Sequence, residues 1–259
     1  MNTSAQETHA SKAEVPRSTP YETTRGDFTL PEPGELYSQN DLAPFFEHFL
    51  PGFAPDMLDT THVAYAGQHG KGRTAPEMMA LSSCAPVALW TYLRMSRAGS
   101  TIGLGDFIEK MWPAFNKVNG TWTRSIMTRT IHEEFHTPLV SAARPYLDKP
   151  IGRDDEVRML ESGYCNDQDD MRFYEESMHG KSIEDILSVA PCVVTIAVRE
   201  GESGPHAVVG WQIVDGVFYF YNPDAREERD AHGMCSRPIS ALYSDTARKG
   251  GVTVLRPVS

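Results

Sequence analysis

Two residues in this chain sit in the local settings that thiol chemistry needs. Cys84 lies in Ser82-Ser83-Cys84-Ala85-Pro86-Val87, at the head of an apolar run through Leu89, Trp90, Tyr92, Leu93 and Met95. Ser82 or Ser83 can cap a helix starting here, and a proline is tolerated in a helix's first turn. A thiol at that point meets unpaired backbone N–H groups and the positive end of the helix dipole, which both favour thiolate. His206 follows Gly204-Pro205 and opens the apolar segment Ala207-Val208-Val209-Gly210-Trp211. A histidine at the start of a buried strand can act as general base toward a thiol, or as the imidazolium partner of a thiolate. Each residue also has a bland reading. Free cysteines are often small core residues, and a histidine can simply end a strand.

A third group must orient the imidazole. Asn222, in Tyr221-Asn222-Pro223-Asp224, has a side-chain oxygen that would accept the second ring N–H and fix the tautomer. Asp224 is the alternative orienter, and Asn-Pro-Asp alone also describes a strand-ending turn. Strand register decides between these. A two-residue Asp215-Gly216 turn alone puts Asn222 opposite Val209, on the wrong face for His206. A three-residue loop, Val214-Asp215-Gly216, or a nearby bulge puts it opposite Val208, on the face of His206. The sequence therefore predicts that loop or a bulge.

At these residues the chain resembles the C39-like (papain-like) cysteine peptidases of bacteria. That family has a Cys-Gly-Pro opening a helix, a Gly-His before an apolar strand, and an Asp/Asn-Pro ending the next strand. Here the elements read Cys84-Ala85-Pro86, Pro205-His206-Ala207 and Asn222-Pro223. The order Cys, His, Asn along the chain is the papain-like one. The resemblance spans roughly residues 60–257. It implies an α+β papain-like fold, with a central N-terminal helix packed on a C-terminal antiparallel sheet. It also implies acyl transfer through Cys84, usually peptide hydrolysis, with a peptide or protein substrate and no cofactor. The family's oxyanion-hole glutamine precedes the cysteine by a few residues, whereas Glu77–Ser83 contains none. Gln68, in the glycine-rich loop Gly67–Thr74, is the nearest upstream donor. Losing that donor typically costs about 10²–10³ in rate, so a catalytically inactive binding module on the same scaffold is a second expectation.

A competing motif comes from His132-Glu133-Glu134-Phe135-His136, which matches H-E-x-x-H on an expected helix. There His132 and His136 would share a face and bind zinc, with Glu133 as base and Glu156 as third ligand. Thr137-Pro138 stop the helix at once, which weighs against the longer scaffold such an enzyme needs.

The remaining patterns concern what holds these groups in place. At 259 residues with 40% hydrophobic content, the chain can build a real core. A net charge of −11 argues against nucleic acid and anionic membranes. Cys84, Cys165, Cys192 and Cys235 are widely spaced, which suits free thiols rather than a disulfide framework. No apolar run has transmembrane length and the N-terminus has no signal core. Cytoplasmic residence, or secretion by a non-Sec route, is expected. Residues 1–35 are rich in Ser, Thr, Glu and Pro and read as a disordered leader (linker, propeptide or secretion signal). A single domain is expected over 36–259. Helices are expected near Asp41–Leu50, ended by Pro51-Gly52, and over Cys84–Arg97, Gly105–Phe115, Thr121–His136, Met171–Met178 and Ser182–Val189. Strands are expected at Pro138–Ala142, Cys192–Val198, Ala207–Val214, Val217–Tyr221 and Val252–Pro257. Helices followed by strands describe an α+β domain.

Overall fold

The computed structural model describes residues 19–32, 35, 37–53, 73–96, 101–117, 120–137, 139–144, 165, 167–188, 190–196, 206–224, 229–242 and 252–257. The Gly204-Pro205 break, the Gly67–Gly72 part of the glycine-rich loop, and Glu156 lie outside these residues.

The architecture is mixed helix and antiparallel sheet. The α-helices are α1 (Ala43–Phe53), α2 (Ala75–Ser82), α3 (Cys84–Met95), α4 (Leu104–Met111), α5 (Arg124–Phe135), α6 (Gln168–Ser177) and α7 (Ile183–Leu187), with a further helical turn at 239–242. Two small hairpins pair β1 (Thr24–Arg25) with β2 (Phe28–Thr29) and β3 (Phe115–Asn116) with β4 (Thr121–Trp122). The main sheet contains β5 (Leu139–Arg144), β6 (Cys192–Ile196), β7 (His206–Val214), β8 (Val217–Tyr221), β9 (Cys235–Pro238) and β10 (Val252–Pro257). Its spatial order is β5-β10-β6-β7-β8-β9, antiparallel throughout. No helix among the described residues is long and apolar enough to cross a membrane.

Strand alternation divides the core in two. Val193, Ala207, Val209, Trp211 and Tyr221 pack with Val87, Leu89, Trp90 and Tyr92 of α3, and with α1, α4 and α5. Cys192, Val194, Val208, Phe218 and Phe220 meet Met171, Phe173 and Ile186 of α6 and α7. The sheet is thus covered by helices on both faces. As its apolar run predicts, α3 is the most deeply buried helix, with every residue from Pro86 to Leu93 buried. Its position against β6 and β7 brings the head of the helix to the start of β7.

Several expectations need correction. Helix α1 runs through Pro51 to Phe53, with the proline inside it, instead of stopping there. The leader is not structureless to residue 35. From Thr19 onward the chain turns through the β1–β2 hairpin and lies against the sheet, with Tyr21 buried. Helix α5 begins only at Arg124, since Thr121-Trp122 form a strand. Likewise, Trp112–Ala114 tighten into a 3₁₀ turn and Phe115 is a strand residue.

Gly210 shows how close the packing is at the middle of the sheet. A Cβ built there would lie 2.9 Å from the Phe218 ring and 3.5 Å from the Cys192 sulfur. The Phe218 ring is fully buried and stacked on Phe220, so it has no room to withdraw. Gly210→Ala is expected to cost about 1–3 kcal/mol by overpacking. Urea denaturation should show a lower midpoint with an unchanged slope. An unchanged midpoint would mean that the Phe218 ring repacks freely.

Candidate active site

The junction between α2 and α3 builds the setting of Cys84. Helix α2 starts with a reciprocal cap between Thr74 and Glu77 and ends at Ser82. Ser82 and Ser83 were expected to cap α3, but both hydroxyls turn backward. Ser82 Oγ donates to the Met78 carbonyl at 3.0 Å, and Ser83 Oγ to the Met79 carbonyl at 2.7 Å. Helix α3 therefore begins with no side-chain cap. Its N-terminal donors are left for the Cys84 sulfur, which takes a hydrogen bond from the Ala85 backbone N–H. Another comes from the Ala207 N–H at the start of β7.

The His206 ring completes this environment. It is hydrogen-bonded to the Cys84 sulfur and, as imidazolium, attracts the thiolate. Burial alone would push the Cys84 pKa up. The His206 charge and hydrogen bond, with the two backbone donors, outweigh it and hold the thiol below its ordinary value. The contrast with other thiols is sharp. Burial pushes Cys165 and Cys192 up to about 12. All four cysteines are free, and Cys84 alone is partly exposed.

Asn222 lies where the register argument requires. Asp215 and Gly216 form a two-residue turn with φ of 50° and 74°, the left-handed pair of a type I′ hairpin. By itself this turn puts Asn222 opposite Val209. The register shifts between Gly210 and Gln212, however, so Val209 pairs with Tyr221 and Asn222 comes opposite Val208. The bulge alternative holds and the three-residue loop does not. Asn222 Oδ1 then sits 2.6 Å from His206 Nε2. The same oxygen accepts the Asp224 backbone N–H at 2.9 Å. An oxygen in this position needs a proton on Nε2, which leaves Nδ1 for the sulfur. No family model and no curated protein sequence matches this chain.

The other candidates fare differently. Asp224, the alternative orienter, is buried and braces Asn222 through its backbone, while the ring nitrogen goes to Asn222. Gln68 lies outside the described residues. Of the zinc alternative, His132 and His136 are described and Glu156 is not. Helix α5 ends at Phe135, and His136 takes a left-handed conformation with φ of 52° as the chain leaves the helix. The shared i, i+4 face is therefore not continued. Both His132 and His136 are exposed. Among the described residues no three His, Cys, Asp or Glu side chains form a metal-holding group.

Two side chains missed by sequence reading border the site. Arg229 Nη2 donates to the Asn222 carbonyl oxygen at 2.6 Å and its guanidinium lies 5.3 Å from the centre of the Tyr221 ring. Gln39 is 2% exposed and sits in a 3₁₀ turn, Gln39–Leu42, capped by Ser38. Neither carries a local motif. The only sequence signal nearby is the Ser38-x-x-Asp41 box that starts the turn.

Proposed function

We propose that this protein is a cysteine peptidase-like acyl hydrolase or transferase, of papain-like fold, acting at an amide or ester carbonyl. The observation that carries this reading is the chain of contacts from the Cys84 sulfur to the His206 ring and from Nε2 to Asn222 Oδ1 at 2.6 Å. The roles follow from the chemistry. The Cys84 thiolate attacks the carbonyl carbon and its electron pair forms the C–S bond, moving charge to the oxygen. As the tetrahedral adduct collapses, the His206 imidazolium gives its proton to the leaving group and a thioester remains. Neutral His206 then takes a proton from water or another acceptor, which attacks the thioester and releases Cys84. Asn222 holds the ring in the tautomer and orientation these steps need. The head of α3, packed against an antiparallel sheet whose β7 supplies the histidine, supports the papain-like assignment.

The test uses p-nitrophenyl acetate, an activated acyl donor, with peptide mass spectrometry. We expect rapid release of nitrophenol with an acetyl group on Cys84, and loss of both in Cys84→Ala. Nitrophenol release that is unchanged in Cys84→Ala, or a Cys84 that never carries acetyl, would remove the reading. Asn222→Ala should retain acetylation but slow it by about 10-fold or more, because the ring loses its orienting acceptor. Asn222→Gln, whose longer amide overshoots, should not restore the rate.

A further inference from the structure

The two halves of the thiol site come from distant parts of the chain, and one residue is bonded to both. Helix α2 leads directly into Cys84. The backbone carbonyls of its last turn need partners, since a helix end has none of its own. Ser82 Oγ serves Met78, Ser83 Oγ serves Met79, and the Ser83 N–H serves Ala80. The Leu81 carbonyl is served by Gln39 Nε2 at 3.0 Å. On its other side, Gln39 is bonded to the segment just past β8 that carries the orienter. Its backbone N–H donates to the Pro223 carbonyl at 2.8 Å, and Ser38 Oγ donates to the same oxygen at 3.1 Å. Pro223 directly follows Asn222. The Tyr221 hydroxyl also donates to the Tyr37 carbonyl, so 37–39 and 221–223 are stitched together.

We propose that Gln39 is a positioning residue, tying the helix that presents Cys84 to the strand end that presents Asn222. It thereby sets the contact between the Cys84 sulfur and the His206 ring. The inference rests on the reading of Cys84, His206 and Asn222 as a thiol site. Gln39 does not reach substrate in this arrangement. Its Oε1 is buried and has no hydrogen-bond partner, and its Nε2 is on the Leu81 carbonyl. Because Leu81 can only accept, the amide cannot be turned around without losing that bond. A buried carbonyl with no partner costs stability, which an apolar side chain of the same size would avoid. What the amide adds here is the link between the two mounts. Attraction between thiolate and imidazolium weakens with separation, so loosening the link should appear in the titration of Cys84.

The test is the pH profile of Cys84 alkylation by iodoacetamide in the full chain, with thermal unfolding recorded alongside. The proteins are wild type, Gln39→Met and Gln39→Asn. Methionine keeps the volume without a donor, and asparagine keeps an amide that falls short of Leu81. In both variants the alkylation midpoint should rise by about one pH unit, a tenfold loss of thiolate below it. A folded variant whose midpoint stays at the wild-type value overturns the inference, because a purely structural residue would change the unfolding temperature alone. A wild type whose Cys84 titrates as an ordinary thiol removes the thiol reading itself, and this inference with it. Should Gln39→Met fail to fold, Gln39→Asn decides on the same criterion.

Discussion

Replacing His206 by alanine is expected to slow alkylation of Cys84 at pH 6.5 by about 10²-fold or more, as judged by iodoacetamide labelling and peptide mass spectrometry. The nucleophile in that reaction is the thiolate, so the rate follows its fraction. In the native protein, burial opposes ionisation of Cys84, and the His206 charge is the largest influence opposing burial. Without the ring, burial faces only the Ala85 and Ala207 N–H donors, which are dipoles rather than charges. The midpoint should then move from below the ordinary thiol range to within or above it. Each pH unit by which the midpoint rises beyond the assay pH is a tenfold loss of thiolate. The wild type should accordingly label at lower pH than the variant. Cys165 and Cys192 supply internal controls. Both are buried and pushed up to about 12, so they should remain unlabelled across the range. Equal labelling of wild type and variant at pH 6.5 would assign the lowered titration to the helix terminus alone and deprive His206 of its role.

How far the site was legible depended on whether its determinants were local. The Cys84 mount was readable because an apolar run with a proline in its first turn has few interpretations, and α3 follows that run closely. Its true end-capping was not readable. A serine's choice between a forward cap and a backward bond depends on whether another helix precedes it, and α2 was not recognised. The Thr74-x-x-Glu77 box with Pro76 was the available signal for α2. Asn222 was placed by counting residues from the turn. That count demanded an irregularity and left its position open. The bulge falls at Trp211, and the reason is tertiary. The Trp211 indole donates to the Glu22 carbonyl at 2.7 Å, while Gln212 Oε1 accepts the Glu22 N–H at 3.0 Å. Successive residues of a regular strand cannot do this, because their side chains point to opposite faces. The partner is a segment whose polar composition read as a leader. Gln39 and Arg229 were invisible for a related reason, since a polar side chain in a turn looks the same whether it faces water or a backbone carbonyl from a distant segment.

That same segment makes the second large prediction. Deleting residues 1–30 should lower the unfolding free energy by about 4 kcal/mol or more, even though the missing stretch has the composition of a tail. Tyr21 is 4% exposed, packs on Tyr219 at 4.8 Å between ring centres, and donates its hydroxyl to Asp230. Uncovering a side chain of that size costs about 3 kcal/mol or more. Arg25 Nη1 is shared between the Ala190 and Trp211 carbonyls, and Phe28 packs on Tyr92 at 5.1 Å. Deletion also removes the acceptor of the Trp211 indole, a hydrogen bond worth about 0.5–1.5 kcal/mol net. Set against a total stability of about 5–15 kcal/mol, the loss would leave a marginal protein. The expected record is a fall of about 10 °C or more in Tm, for which Tyr21→Ala alone should account for a large part. This bears on what the leader can be. A processing cut at or beyond Arg25 would remove Tyr21 and Glu22, so activation by such a cut would conflict with the contacts that hold β7 in register. A shortened chain that keeps its Tm and labels Cys84 as the full chain does would show that the bulge at Trp211 stands without the segment it grips.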